Sequence, residues 1–213
     1  LIRRRVARFG YLNAAGQTAM MIWTVLAKKL LKGRIARIVR EERLRPEPAE
    51  SQSIIRVPSV NHAEFRAAVE TLKPDLLFLV GCRVMKADML ASMPCPVINY
   101  HAGINPKYRG MNGGYWALAE GDPENFGGTV HLVDAGVDTG GILYQARGKP
   151  ERDDNFMTYA FRQAAMSRDI CIKAAEDALA DRLAIVPAAL PSRLWYHPTL
   201  WAYLWTGLTR GVS

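Results

Sequence analysis

Cysteine is scarce in this chain, with only Cys82, Cys95 and Cys171 among 213 residues. Their odd number, wide spacing and lack of histidines at ligand spacing argue against a disulfide framework and against a zinc site, and fit a reducing, cytoplasmic setting. No stretch reaches the roughly 18 uninterrupted apolar residues that a membrane-spanning helix needs. The basic start has neither the apolar region nor the cleavage site of a secretory signal, so neither secretion nor a membrane span is expected. There is no internal repeat or low-complexity tract, which excludes solenoid architectures. Acidic residues are nearly missing from positions 1–45, which hold 12 Lys/Arg against 2 Asp/Glu, while the remainder holds 16 against 18. The net charge of +8 therefore belongs to the front segment. It suggests an anionic partner there, such as a phosphorylated substrate, a lipid surface or nucleic acid; a solvated helical face accounts for it equally well.

What the chain does contain is ample apolar material: 49% of its residues are hydrophobic, enough for a buried core in one domain with appendages or a small domain pair. Residues from about Ala14 to Glu42 read as helical, with Gly33 as the expected break. A Pro-, Glu- and Arg-rich loop follows, then a short extended piece at Ser53–Val57. Asn61 is placed to cap a helix through Leu72, with Glu64 at the capping-box position. From there the pattern is α/β. Buried strands are expected at Asp75–Val80 and Pro96–Tyr100, with a short helix at Lys86–Ser92 between them. A helix at Met111–Glu120 and strands at Gly128–Val133 and Ile142–Arg147 come next, the two strands forming a hairpin-like return. Asp153 or Asp154 should cap a long helix reaching about Ala180. The expected fold is an open, mostly parallel α/β sheet of Rossmann-like type, with ligands at the carboxyl ends of its strands. Its first βα unit is missing or replaced, because no apolar strand precedes Ser53 and the chain opens at Leu1 with Arg3-Arg4-Arg5. Either this is a part of a longer chain or the basic helical segment stands in for that unit. The division expected is a basic helical segment at 1–52, a core at 53–182 and an aromatic-rich tail at 183–213.

The most informative run is Val97-Ile98-Asn99-Tyr100-His101, followed by Asn105-Pro106-Lys107-Tyr108-Arg109-Gly110 and, further on, Asp134-Ala135-Gly136-Val137-Asp138-Thr139-Gly140. Alternate strand residues share a face, so Asn99 and His101 can address one reacting atom, and Asp138 sits in a glycine-flanked loop able to join them. A nucleophile attacking a carbonyl carbon throws negative charge onto the carbonyl oxygen, and donors aimed there lower the barrier. Asn99 can offer an amide N–H and a protonated His101 a ring N–H. Asp138 can hold the imidazolium, raise its pKa and assist proton movement. Each residue alone has an ordinary structural use, as a turn former, a satisfied core histidine or an Asx turn.

Asn99-Tyr100-His101, Pro106-Lys107-Tyr108-Arg109-Gly110 and Val137-Asp138-Thr139-Gly140 together resemble the signature of the 10-formyltetrahydrofolate-dependent formyltransferases. That family includes glycinamide ribonucleotide, methionyl-tRNA and nucleotide-sugar N-formyltransferases. The resemblance covers about Pro74 to Gln145. It implies catalytic roles for Asn99, His101 and Asp138, 10-formyltetrahydrofolate as formyl donor, and no metal. It also implies a pterin pocket between Gly81-Cys82-Arg83-Val84-Met85 and Asp134-Ala135-Gly136-Val137. Tyr108, Arg109 and Gly110 are candidates for substrate binding, Arg109 through its planar fork, although bracing of the loop is the favoured reading for Arg109. Gly103 and Asn105 depart from the family's common hydroxyl and apolar residues and bear on the acceptor's identity. His131 lies in a strand near the site and could face it, with packing or hydrogen bonding as its expected role; His62 and His197 have no recognisable catalytic partners.

Only about 33 residues follow Ala180, too few for the C-terminal β-barrel that helps methionyl-tRNA enzymes hold tRNA, which argues against nucleic acid and for a small amine. The implied function is formylation of a primary amine on a small or sugar-linked acceptor, with a nucleotide-linked amino sugar first and a glycinamide ribonucleotide-like acceptor second. A hydrolase releasing formate from the same folate, and a non-catalytic folate- or partner-binding module, are the alternatives. In the tail, Trp201, Leu204, Trp205 and Leu208 follow i, i+3, i+4, i+7 spacing and form one apolar helical face. Packing on the body or on another subunit is its commonest use, and an interfacial membrane contact shared with the basic helix is the sharper one.

Overall fold

The computed structural model describes residues 2–213, with side chains from Arg5 onward. Leu1 and the side chains of Arg3 and Arg4, on which the reading of an abrupt basic start rests, lie outside the described residues. The chain opens with helix α1 (Ile2–Leu30), well ahead of the expected start near Ala14. Gly10 interrupts it at φ 78°, ψ 166°, a conformation that glycine enters without a Cβ penalty. The bend to α2 (Lys32–Glu41) falls at Leu31 rather than at Gly33, which lies inside α2. This turn lets α2 bury Ile38 and carry Arg34 and Arg37 to Asp153 and Asp154.

Helix α3 (Ala63–Leu72) is capped by His62, whose ring nitrogen accepts from the Glu64 amide. Asn61, the expected cap, is occupied elsewhere: its side chain donates to the Val84 carbonyl (2.9 Å) and accepts from the Lys86 amide (2.7 Å). It thereby holds the loop that follows the first strand. Strand β1 (Leu77–Val80), α4 (Ala87–Ala91) and β2 (Val97–His101) form a parallel βαβ unit, with Leu79 beside Asn99. The short β3 (Arg109–Gly110) leads to α5 (Gly113–Ala119). Strands β4 (Gly127–Leu132) and β5 (Ile142–Arg147) return antiparallel. Helices α6 (Tyr159–Met166) and α7 (Arg168–Leu179) follow, and β6 (Leu194–Trp195) pairs with β3 before α8 (Leu200–Arg210).

The main sheet has the order β1-β2-β4-β5 and is mixed, with one parallel and two antiparallel pairs. The expectation of a mostly parallel sheet is corrected here. The link from Leu132 to Ile142 is shorter than the dozen or more residues that a parallel crossover requires, so it can only return antiparallel. No strand precedes β1 among the described residues, and the basic helices α1 and α2 stand ahead of it in the chain, where a complete doubly wound domain has its first βα unit. The single long helix expected after Asp153 is two helices broken at Ser167. Asp154 caps neither; its buried carboxylate takes Arg162 Nε (2.9 Å), Arg34 Nη2 (3.3 Å) and the Glu151 amide (2.8 Å). The ion cluster, which Glu42 joins through Arg162, ties α2 to α6. Ile98, Val130 and Leu143 bury one sheet face against Ala174 of α7, while Leu79, Val97, Met85 and Met89 fill the other. A further cluster joins Met20 of α1, Tyr115 and Phe126 of the core and Tyr203 of α8.

Candidate active site

Asn99 and His101 stand on one face at the carboxyl end of β2, as the strand period requires. In the register with β4, Asn99 lies directly opposite His131, and His101 opposite Thr129. Directly opposed residues on antiparallel strands bring their side chains together. His131 is accordingly part of the cluster, in the hydrogen-bonding role expected of it. Its Nδ1–H donates to the Leu132 carbonyl (2.7 Å), leaving Nε2 to accept from the Asn99 amide at 3.1 Å. The same Nε2 lies 3.5 Å from one Asp138 carboxylate oxygen, while His101 Nδ1 lies 3.5 Å from the other.

Asp138 is held in the left-handed region at φ 52°, a sparsely populated conformation for a residue with a Cβ. Two contacts keep it there: the Asn105 side-chain amide donates to its carbonyl (3.1 Å), and the Gly110 amide donates to its carboxylate (2.8 Å). Burial alone would raise the carboxyl pKa. The hydrogen bond and charge that His131 and His101 supply when protonated, with the Gly110 N–H, outweigh it and hold Asp138 below the usual carboxylate range. Asn105, which departs from the family's common residue, thus has a defined use in this chain.

For His101 the balance goes the other way. Burial lowers its pKa and outweighs the raising effect of Asp138 and of the Tyr108 carbonyl. Asp138 acts on the ring in the expected direction, but burial prevails and the net shift is downward. The ring Nε2–H donates to the Tyr108 carbonyl at 2.7 Å, so this nitrogen is committed inward rather than aimed at a substrate oxygen. Gly103 makes the arrangement possible, since a Cβ there would stand 2.4 Å from the Tyr108 carbonyl oxygen and 2.5 Å from His101 Nε2.

A folded-state imidazole pKa below the unfolded value means that the unfolded chain takes up the proton first. Stability is therefore fully present above about pH 6.5 and is lost as pH falls from there towards the depressed native value. One such group contributes a slope of at most about 1.4 kcal/mol per pH unit. Denaturant melts of the wild type and His101→Gln across this range should show a shallower acid loss in the variant; equal slopes would contradict the assignment.

Two clefts meet at this cluster. One, of about 410 Å³, is lined by Cys82, Arg83, Val84, Met85, Asp134, Gly136 and Val137 together with Asn99, His131 and Asp138. The other, of about 1040 Å³, contains Gly81, Asn99, His101 and Asp138, and its far wall includes Arg8, Met111 and Tyr196. Ala135, expected beside the first cleft, is exposed and lines neither. Asp134 closes its own loop, accepting from the Gly136 amide (3.0 Å) and the Thr139 hydroxyl (2.6 Å). The backbone N–H groups of Cys82, Arg83 and Val84 make no hydrogen bond within the described residues. A narrow slot with apolar walls and free backbone donors fits a flat, polar-edged heterocycle such as a pterin.

Tyr108 is placed otherwise than the sequence suggested, whereas Arg109 takes the bracing role the sequence reading favoured. The Tyr108 side chain is fully buried, stacks on Trp195 and donates its hydroxyl to Asp122 (2.6 Å), so it cannot touch a substrate. Tyr108→Phe should cost about 1–2 kcal/mol of stability through the lost hydrogen bond to a carboxylate, with kcat and KM unchanged. A rise in KM at unchanged melting temperature would restore Tyr108 to the binding site. Arg109 braces the aspartate loop, donating Nη1 to the Val137 carbonyl (2.8 Å) and Nε to Ser192 (3.0 Å). Gly110 serves through its amide on Asp138. Among the described residues no group of three His, Cys, Asp or Glu is placed to hold a metal ion.

Fold and site together define a Rossmann-like α/β protein whose Asn, His and Asp side chains converge where two clefts join. The sequence matches the formyl transferase family over residues 13–174, and the chain belongs to that family. It is similar to a methionyl-tRNA formyltransferase of Anaeromyxobacter sp. (strain K), 33% identical over 140 residues that span 65% of this chain and 44% of that protein. Among solved structures it resembles glycinamide ribonucleotide transformylase 1 from Symbiobacterium toebii, with a TM-score of 0.53, 30% identity and 58% of each chain covered. A sugar N-formyltransferase from a Shewanella species shares the fold, with a TM-score of 0.54, 19% identity, and 64% of this chain and 54% of that one covered. The chain spans less than half the length of the curated relatives it matches. No helix among the described residues is long and apolar enough to cross a membrane.

Proposed function

We propose that this chain carries a formyl group from 10-formyltetrahydrofolate to a primary amine on a small or sugar-linked acceptor, with residues 53–182 as the catalytic core. A nucleotide-linked amino sugar is the first candidate and a glycinamide ribonucleotide-like acceptor the second. The observation that carries this reading is the meeting of Asn99, His101 and Asp138 at the junction of a narrow slot and a wide cleft. Donor and acceptor can then approach one set of side chains from two sides. The wide cleft suits an anionic, ring-bearing acceptor, for the Arg8 guanidinium stands 4.8 Å from the Tyr196 ring centre on its wall.

When bound, 10-formyltetrahydrofolate supplies the activated formyl carbon. Asn99 gives one N–H to His131 and keeps the other for the carbonyl oxygen where negative charge develops. Asp138, ionised, takes up the proton that the attacking amine loses and returns it to the departing folate nitrogen as the bond from that nitrogen to the formyl carbon breaks, directly or through water. His101 presents a lone pair at Nδ1 towards Asp138, and its protonation there places an N–H against the carboxylate. It acts as a proton-holding group behind Asp138.

Turnover is measured by release of tetrahydrofolate from 10-formyltetrahydrofolate, with and without a panel of primary amines that includes nucleotide-linked amino sugars and glycinamide ribonucleotide. Amine-dependent release supports the reading. Amine-independent formate release would point to a hydrolase, and no turnover by the folded protein to a binding module.

A further inference from the structure

We propose that the outer face of α1, together with the exposed stripe of α8, is a docking surface for an anionic lipid membrane. Helix α1 is apolar on two sides. Its inner side buries Ala14, Met20 and Ala27, and Gly16 seats the Trp201 ring, whose atoms would lie 2.4 Å from a Cβ at that position. Its outer side presents Ile22, Val25, Leu26 and Leu30, an i, i+3, i+4, i+8 series, all exposed, Leu30 by 83%. A helix apolar all round is normally buried on every side. Here nothing among the described residues covers the outer side.

Helix α8 packs along α1, with Tyr203 meeting Trp23. It turns inward through Tyr203 and leaves Leu204, Trp205 and Leu208 exposed, Leu208 by 85%. Of the tail stripe read from the sequence, Trp201 packs on α1 at Gly16, while Leu204, Trp205 and Leu208 stay uncovered. Two neighbouring helices thus combine bare aliphatic and tryptophan side chains, an apolar surface larger than scattered exposed residues account for.

Charge selects the occupant. Residues 1–40 contain 10 Lys/Arg and no Asp or Glu, and α8 likewise contains no acidic residue and ends in Arg210. Arg34 and Arg37 are paired with Asp153 and Asp154. Lys28, Lys29 and Lys32, by contrast, are exposed and have no carboxylate within salt-bridge distance among the described residues. Lys29 falls between Leu26 and Leu30 on the apolar side itself. A second copy of the chain, joined through the same face, would bring these lysines together without a carboxylate on either helix to pair them. An anionic lipid surface meets both features at once: headgroups take the ammonium groups while tryptophan and aliphatic side chains enter the boundary below.

The test uses the full chain in co-sedimentation with phosphatidylcholine vesicles, with and without phosphatidylglycerol. Binding is expected only with phosphatidylglycerol and should weaken with added salt. Ile22→Glu/Leu26→Glu should bind at least about tenfold less. Glutamate is a good helix former and both positions are exposed, so unchanged melting and unchanged turnover of a soluble amine show that the variant is folded. Replacing Lys28, Lys29 and Lys32 together by Gln should weaken binding on the order of a hundredfold, from the usual worth of three basic residues near an anionic surface. Equal binding to both vesicle types, equal binding by the folded double variant, or a wild-type dimer that dissociates in that variant without any vesicle binding would overturn the proposal.

Discussion

Asn99→Ala should lower kcat/KM for formyl transfer by about a hundredfold to a thousandfold, the usual loss when one donor to a developing oxyanion is removed. The fall should appear mainly in kcat, because the interaction strengthens as charge develops and is weak in the ground state. His131 fixes the side chain by accepting one amide N–H at 3.1 Å, so the second N–H is already oriented before the acceptor arrives. Asn99→Asp is the sharper control. It keeps the shape, removes the donor and sets a second negative charge beside Asp138, so its loss should exceed that of Asn99→Ala. Thermal melting of both variants separates this effect from misfolding.

Asp138→Asn should cost about a thousandfold in kcat, within the range for a positioned proton acceptor. Asparagine tolerates the left-handed conformation that Asp138 holds at φ 52°. Its backbone carbonyl can still take the Asn105 amide and its side-chain oxygen the Gly110 N–H. The loop should therefore survive, and the loss reports the charge. The imidazole of His101 provides an independent reading, because Asp138 is the main influence raising a pKa that burial depresses. A nuclear magnetic resonance titration should place that pKa below the ordinary 6.5 in the wild type and lower still in Asp138→Asn. A value above the ordinary one in the wild type would show that Asp138, not burial, controls the ring.

How much of this was legible in the sequence depended on the range of the interaction. Asn99 and His101 could be placed on one face because strand alternation is local, and the order of β1, α4, β2, β4 and β5 followed from short apolar runs and glycine turns. His131 could not be placed in the cluster, because its contact with Asn99 depends on the β2–β4 register, which joins residues 32 positions apart. The direction of the His101 pKa was misread for a similar reason. It turns on burial, which outweighs the raising effects of Asp138 and of the Tyr108 carbonyl. Tyr108 looked like a substrate contact in a motif loop, but Trp195, far along the chain, covers it. Asn61 and Asp154 are polar residues at good capping positions, and tertiary partners claimed both.

The central claim is that Asn99, His101 and Asp138 direct a formyl group to an amine. The most direct measurement is a single turnover with formyl-labelled 10-formyltetrahydrofolate and the best amine found, following the label. Wild-type protein should place it on the amine as a formamide in step with tetrahydrofolate release, and Asn99→Ala should do so at least about a hundredfold more slowly. Label recovered as formate at a rate indifferent to the amine, or transfer by Asn99→Ala at the wild-type rate, would contradict the account.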